Sequence, residues 1–185
     1  MMRHEPTRLE MLLTKLAFLL YGKPVYQAFV DRLPLCGGER VLDFGCGMGT
    51  VAYYAAKKLP HGHLTCLDVS ARWLNACRKT MRKYKNVSFL QSDPQSPALV
   101  EDSFDAVCCH FVLHDIPESD LGMVIPALVK SLKPGGVLIF REPLDEAEKL
   151  SVIKRLTEQN RLALKDSRVT DVPLMGNALE SVYIK

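Results

Sequence analysis

The sequence predicts an α/β fold: a doubly wound, mostly parallel seven-stranded sheet with an antiparallel C-terminal strand and an N-terminal helical cap. Three observations carry this reading. From Glu39 onward, short apolar runs alternate with helical segments, the pattern of parallel strands joined by right-handed crossovers. One such run, Val41-Leu42-Asp43-Phe44, leads into three glycines and then a helix, the opening of a doubly wound sheet. Near the C-terminus, Met175-Gly176-Asn177 separates two strand-like runs, and so tight a turn joins antiparallel neighbours only.

The elements follow in order. Thr7 is placed to cap a first helix, Glu10 completes a capping box three residues on, and apolar residues follow. Gly22 and Pro24 are expected to break that helix, with a second short helix over 25–33. Composition shifts near Pro34–Gly38, which sets a helical cap over 1–36 against a main domain over 37–185. In that domain strands are expected at 40–44, 63–68, 87–91, 104–113 and 137–141. Helices are expected at 50–58, 71–84, 120–132 and 145–165, the third ended by Lys133-Pro134-Gly135-Gly136. Two last strands, 168–174 and 179–184, form the hairpin.

A chain of 185 residues, 48% hydrophobic and 24% charged, is ordinary for one soluble domain with a real core. A net charge of +3 is too small to argue for nucleic acid or an anionic membrane as a partner. The six cysteines lie mostly in apolar runs and read as reduced thiols, which places the chain in the cytoplasm. The run Met11–Leu20 is too short to span a bilayer and Lys15 interrupts it. No small-residue cleavage site follows it. A packed amphipathic helix is expected, with no stable membrane insertion; peripheral membrane contact is the alternative.

The strongest chemical signal is Val41-Leu42-Asp43-Phe44-Gly45-Cys46-Gly47-Met48-Gly49-Thr50. Glycines let the backbone turn sharply and let a ligand approach the main chain. In the dinucleotide fingerprint the third glycine falls one residue later. Asp43, two residues before the first glycine, would repel a pyrophosphate but suits a cationic ammonium group. The pattern therefore favours S-adenosylmethionine over NAD; a bare strand-to-helix turn is the structural alternative. Asp68 ends the second strand, where an acid can accept from ribose hydroxyls. Capping of the next helix competes for that role, unless Ser70 does the capping. Asp93, after the third strand, suits an adenine amino group or a simple turn.

Taken together, these residues resemble the class I methyltransferase family, with its Rossmann-like fold, and more narrowly its small-molecule branch, which includes the ubiquinone and menaquinone biosynthesis methyltransferases. The resemblance covers about residues 37–185. Val41–Thr50 looks like the family's first motif. Ser103–Val107, Val112-Leu113-His114 and Leu132–Leu138 look like later ones. It implies that Gly45, Gly47 and Gly49 approach the methionine portion of S-adenosyl-L-methionine. By the same resemblance Asp43 lies near its amino group, Asp68 binds ribose and Asp93 binds adenine. Cys46, Val69, Pro94 and His110 complete the cofactor-binding set. Pro94 departs from the pattern: it has no N–H to offer the adenine ring, which leaves Asp93, Gln95 and apolar packing.

Methyl transfer from a sulfonium is largely a matter of positioning, with a base needed only for some acceptors. His114 is the candidate base, since imidazole titrates near neutrality, and Glu142 is a second acid expected near the acceptor. A loop histidine bonded to backbone is the competing reading of His114. Cys108, Cys109, His110 and His114 are zinc-ligand types, but adjacent strand residues point to opposite faces, so no metal is expected. With no inserted lid, a roof over the acceptor is expected from segment 9–30, the loop after His114, or a partner subunit in a homodimer. Tyr21 and Tyr26 read equally as substrate-facing or as packing residues. Three other functions compete. A noncatalytic S-adenosylmethionine-binding protein remains open. So does an RNA methyltransferase using Arg72, Arg78, Lys79, Arg82, Lys83 and Lys85. An NAD-dependent oxidoreductase is disfavoured by the glycine spacing and by Asp43.

Overall fold

The computed structural model describes residues 5–92 and 99–185. The chain divides into two compact units, residues 1–91 and 92–185.

The first unit opens with α1 (Arg8–Tyr21). The capping box forms as expected: the Glu10 amide donates to Thr7 Oγ1 at 3.2 Å and the Thr7 amide to Glu10 Oε2 at 2.6 Å. The expected break at Gly22 and Pro24 does not occur. The helix widens into a π-helical segment, Gly22–Gln27, and continues into α2 (Ala28–Val30). Gly22 keeps helical dihedrals (φ −52°, ψ −50°) and serves close packing instead, since a Cβ there would fall 2.5 Å from the Tyr54 hydroxyl. The wider turn accommodates Pro24, whose ring and missing N–H would disrupt a regular ladder.

The strands of this unit are β1 (Arg40–Phe44), β2 (His63–Asp68) and β3 (Val87–Gln91), in the order β3-β2-β1. Both pairings are parallel; Asp43 lies opposite Cys66, and Asp68 opposite Gln91. The crossovers are α3 (Thr50–Lys57) and α4 (Ala71–Thr80). Unbroken burial from Val41 to Phe44 is the mark of a parallel strand covered on both faces. The side chains of Phe29, Leu42, Ala55, Leu59 and Leu64 are fully buried in this core.

The second unit holds β4 (Phe104–His110), α5 (Glu118–Ser131), β5 (Leu132–Pro143), α6 (Ala147–Gln159), β6 (Ala163–Val172) and β7 (Gly176–Ile184). Its strand order is β4-β5-β7-β6. β4 and β5 are parallel, and β7 runs antiparallel to both its neighbours. The antiparallel hairpin expected at the C-terminus is therefore present, with Leu174 (φ +70°) and Gly176 (φ +76°) turning it. Several boundaries differ from the sequence reading: α4 ends at Thr80, and the hairpin strands are longer than expected and turn at 173–175, with Gly176 and Asn177 already in β7. β4 stops at His110 because Phe111 takes a left-handed φ of +53°. Lys133-Pro134-Gly135-Gly136 does not separate helix from strand but lies inside β5, where the register to β4 shifts between Phe104 and Ala106. α6 is shorter than expected because Ala163 already begins the long hairpin. Among the described residues, no helix is long and apolar enough to cross a membrane.

Candidate active site

In the first unit, β1 delivers the chain to the glycine loop. The amides of Gly45 and Cys46 both donate to Leu67 O, at 2.8 and 3.0 Å, which ties the loop to the end of β2. Gly45, Gly47 and Gly49 take φ values of +71°, +52° and +85°, a left-handed region that side chains disfavour. The glycines differ in what else they need. A Cβ on Gly49 would sit 2.8 Å from Cys77 Sγ, so this residue lets α3 begin hard against α4. A Cβ on Gly47 would meet nothing within 4 Å, so here the backbone faces open space.

Two buried carboxylates flank this turn. Asp43 is 1% exposed and Asp68 6%. Asp68 Oδ2 accepts from the Gly47 amide at 2.9 Å and Oδ1 from the Ser70 amide at 2.9 Å. Burial pushes the Asp68 carboxyl above its usual range, against the pull of these hydrogen bonds. Ser70 caps α4 by accepting from the Trp73 amide at 3.0 Å, so the capping role does not fall to Asp68. Asp68 instead fastens the middle of the glycine loop. Val69 is half-buried and its carbonyl accepts from Gln91 Nε2 at 3.1 Å. Asp93, Pro94 and Gln95 lie outside the described residues. An open left-handed turn between two buried acids fits a ligand that carries an ammonium group and ribose hydroxyls.

Beneath the loop, the sulfurs of Cys46, Cys66 and Cys77 lie within 4.8 Å of one another. They are buried, and the thiols of Cys46 and Cys66 hold Cys77 down at about 5 by hydrogen bonding to it. Within the described residues this is the one His, Cys, Asp or Glu grouping with metal-ligand spacing.

In the second unit, Glu142 organises the loop after β4. Its side chain is fully buried, yet four donors converge on it. The amides of Val112, Leu113 and His114 donate at 3.1, 2.9 and 3.3 Å, and His114 Nδ1 at 2.6 Å. A carboxylate only accepts, so Nδ1 carries the proton in this bond. Nε2, 3.5 Å from Asp115 Oδ1, is left as the basic atom of the neutral ring. Burial opposes charging His114, but the hydrogen bond and charge of Glu142, with Asp115 and Glu146, outweigh it and raise its pKa. With both oxygens occupied by this loop, Glu142 holds the candidate base rather than standing open beside an acceptor.

His110 is half-buried at the end of β4, its Nε2 3.3 Å from Arg141 Nη1. Burial first, and the Arg141 charge second, push its pKa well below the usual value, so the ring is neutral. Arg141 is itself buried and pairs with Glu180, whose other oxygen accepts from Arg168 Nε at 3.0 Å. Arg141 and Glu180 lie directly opposite each other on β5 and β7. The sequence reading missed this network; a charged residue at the end of the apolar run Val137–Phe140 was its one visible sign. Of the two N-terminal tyrosines, Tyr26 is buried against Phe18, with ring centroids 6.0 Å apart, while Tyr21 is half-buried. Of the basic cluster around α4, Arg78 lies over the Phe89 ring at 4.5 Å.

Comparison with known proteins adds a family to this geometry. Residues 41–136 match the model described as a methyltransferase domain. The fatty-acid O-methyltransferase of Mycolicibacterium smegmatis is 29% identical over 92% of this chain and 61% of its own length. The demethylmenaquinone methyltransferase of Clavibacter sepedonicus is 33% identical over 57% of this chain and 41% of its own. The chain thus spans less than two thirds of these curated relatives. Among solved structures, the N-methyltransferase NodS of Bradyrhizobium japonicum, in complex with S-adenosyl-L-homocysteine, superposes with a TM-score of 0.73 at 21% identity. That superposition covers 89% of this chain and 87% of NodS, and shows the shared Rossmann-like fold.

Proposed function

The chain belongs to the class I S-adenosylmethionine-dependent methyltransferase family, and we propose that it transfers a methyl group from S-adenosyl-L-methionine to a small-molecule acceptor. The observation that carries this reading is the glycine loop fastened through the Gly47 amide to Asp68 and flanked by Asp43. The bound cofactor supplies an electrophilic methyl on a sulfonium. The chain's own residues do the rest. Gly45, Cys46, Gly47 and Gly49 offer backbone to the methionine portion, and Asp43 neutralises its ammonium group. Asp68 and Val69 take the ribose side, and Asp93 with Pro94 the adenine side. His110, held neutral, adds no second positive charge near a cationic ligand. His114 accepts the acceptor's proton at Nε2, and Glu142 positions that ring. Residues 1–36 form a helical cap on the domain that follows, and the protein works in the cytoplasm.

The test is turnover with methyl-labelled S-adenosylmethionine against an acceptor panel. Fatty acids and demethylated quinols head the panel, after the relatives' names, and RNA completes it. Label should pass to a small molecule, and the Asp68→Ala and His114→Ala variants should lose it. Label passing only to RNA would overturn the acceptor class. Saturable cofactor binding with no turnover on any acceptor would overturn the enzymatic reading.

A further inference from the structure

Helix α1 is built the wrong way round for a surface helix. Its inner face, Met11, Thr14, Phe18 and Tyr21, is half-buried. Phe18 packs edge-on against Tyr53 and Tyr54 of α3, at 5.5 and 6.1 Å between ring centroids. Its outer face carries Leu9, Leu12, Leu13, Leu16, Leu19 and Leu20, exposed by 45–68%. These positions recur at three- and four-residue spacing and form one continuous stripe. Surface leucines scattered singly need no explanation, but a contiguous stripe marks a binding surface.

The neighbours of the stripe say what it binds. From residue 8 to 24, every exposed residue other than these leucines is Arg8, Lys15, Lys23 or Pro24. The one acid of this stretch, Glu10, is half-buried and held in the capping box with Thr7. With Glu10 tied into the capping box, the free charges along α1 are cations, and leucines beside cations are complementary to an apolar layer beneath anionic groups. Long Lys and Arg side chains can lay their stems along such a layer and keep their charges at its edge. A 14-residue helix is about 21 Å long, short of the roughly 30 Å hydrocarbon core, so it lies on a bilayer and does not cross it. The net charge of +3 hides this, because the cations matter only through their place beside the stripe.

We propose that α1 docks the protein on an anionic lipid surface, its leucines entering the headgroup–acyl boundary and Arg8, Lys15 and Lys23 facing lipid phosphates. The inference does not rest on the methyl-transfer reading, because it uses none of the residues assigned to the cofactor or to proton transfer; it gives the exposed face of α1 a lipid partner rather than the acceptor.

Co-sedimentation of the full chain with vesicles tests it. Vesicles of phosphatidylcholine with about a third phosphatidylglycerol should bind the protein at least tenfold more tightly than phosphatidylcholine alone. Raising salt should weaken the binding. Leu13→Glu with Leu16→Glu should abolish it, and Lys15→Glu should reduce binding to the anionic vesicles only. These side chains are exposed, so the melting temperature should not change; Leu12→Ser serves as a milder variant should the double one fail to fold. Equal binding to both vesicle types, or full binding by the leucine variants, would overturn the proposal. So would an absence of vesicle binding alongside concentration-dependent dimers that Leu13→Glu dissolves, which would assign the stripe to a second copy of the chain.

Discussion

Replacing Glu142 with Gln tests the organisation of the β4 loop. The carboxylate accepts from three successive amides and from His114 Nδ1, with no exposure to water. Glutamine keeps one acceptor oxygen and turns an NH2 group toward donors, so about two of these four bonds are lost. Buried hydrogen bonds to a charged group contribute about 1.5–3 kcal/mol each. A loss of about 3–6 kcal/mol follows, or about 6–24 °C in melting temperature for a domain of this size. The more specific consequence concerns His114. Its pKa is raised because Glu142, with help from Asp115 and Glu146, overcomes the burial that opposes charge. Without the Glu142 charge, burial prevails and the pKa must fall. Proton NMR of the His114 ring reads this directly, and the same shift should appear in the pH profile of turnover. The base works unprotonated, so wild-type activity should rise with pH through a limb above the ordinary histidine value, and the variant's limb should move to lower pH. A folded Glu142→Gln protein with an unmoved His114 titration would refute the positioning role.

Four further outcomes are expected. Because the folded pKa of His114 is raised, its stabilisation is fully present below the unfolded value of about 6.5 and is lost as pH rises through the folded one. The stability difference between wild type and His114→Ala should therefore be larger below about pH 6.5 than above that folded value, where only the bond from the neutral ring to Glu142 remains. Asp68→Asn should weaken S-adenosylhomocysteine binding about tenfold or more by calorimetry, through loss of a charge-assisted bond to ribose and of the Gly47 contact. Gly49→Ala, at φ +85° and with its new Cβ 2.8 Å from Cys77 Sγ, should cost about 1–3 kcal/mol in a denaturant melt. Glu180→Gln leaves the buried Arg141 without its full counter-charge and should cost about 3–5 kcal/mol in the same assay.

Much of this was legible in the sequence because the signals were local. The glycine loop is specified within ten residues and the capping box at Thr7 and Glu10 within four, while the glycine near the C-terminus signalled a hairpin but placed its turn about two residues late. The alternation of apolar runs and helices followed from burial on a parallel sheet. What stayed hidden depended on contacts distant in sequence. Glu142 meets the loop at 112–114 about thirty residues earlier in the chain, a distance no spacing rule spans. Arg141 and Glu180 become partners only once the hairpin register is set. Gly22 read as a helix breaker because its composition signal is the same whether glycine ends a helix or admits a tyrosine. The leucines of α1 read as a buried face because periodicity shows that a stripe exists, not which way it points.

We propose that the glycine loop, Asp43 and Asp68 form a site for an adenosyl amino acid. Calorimetric titration of the wild-type chain with S-adenosylhomocysteine, and separately with NAD, tests it most directly. Saturable one-to-one binding of S-adenosylhomocysteine and no heat of binding from NAD are expected. Saturable binding of NAD, with no response to S-adenosylhomocysteine, would contradict it.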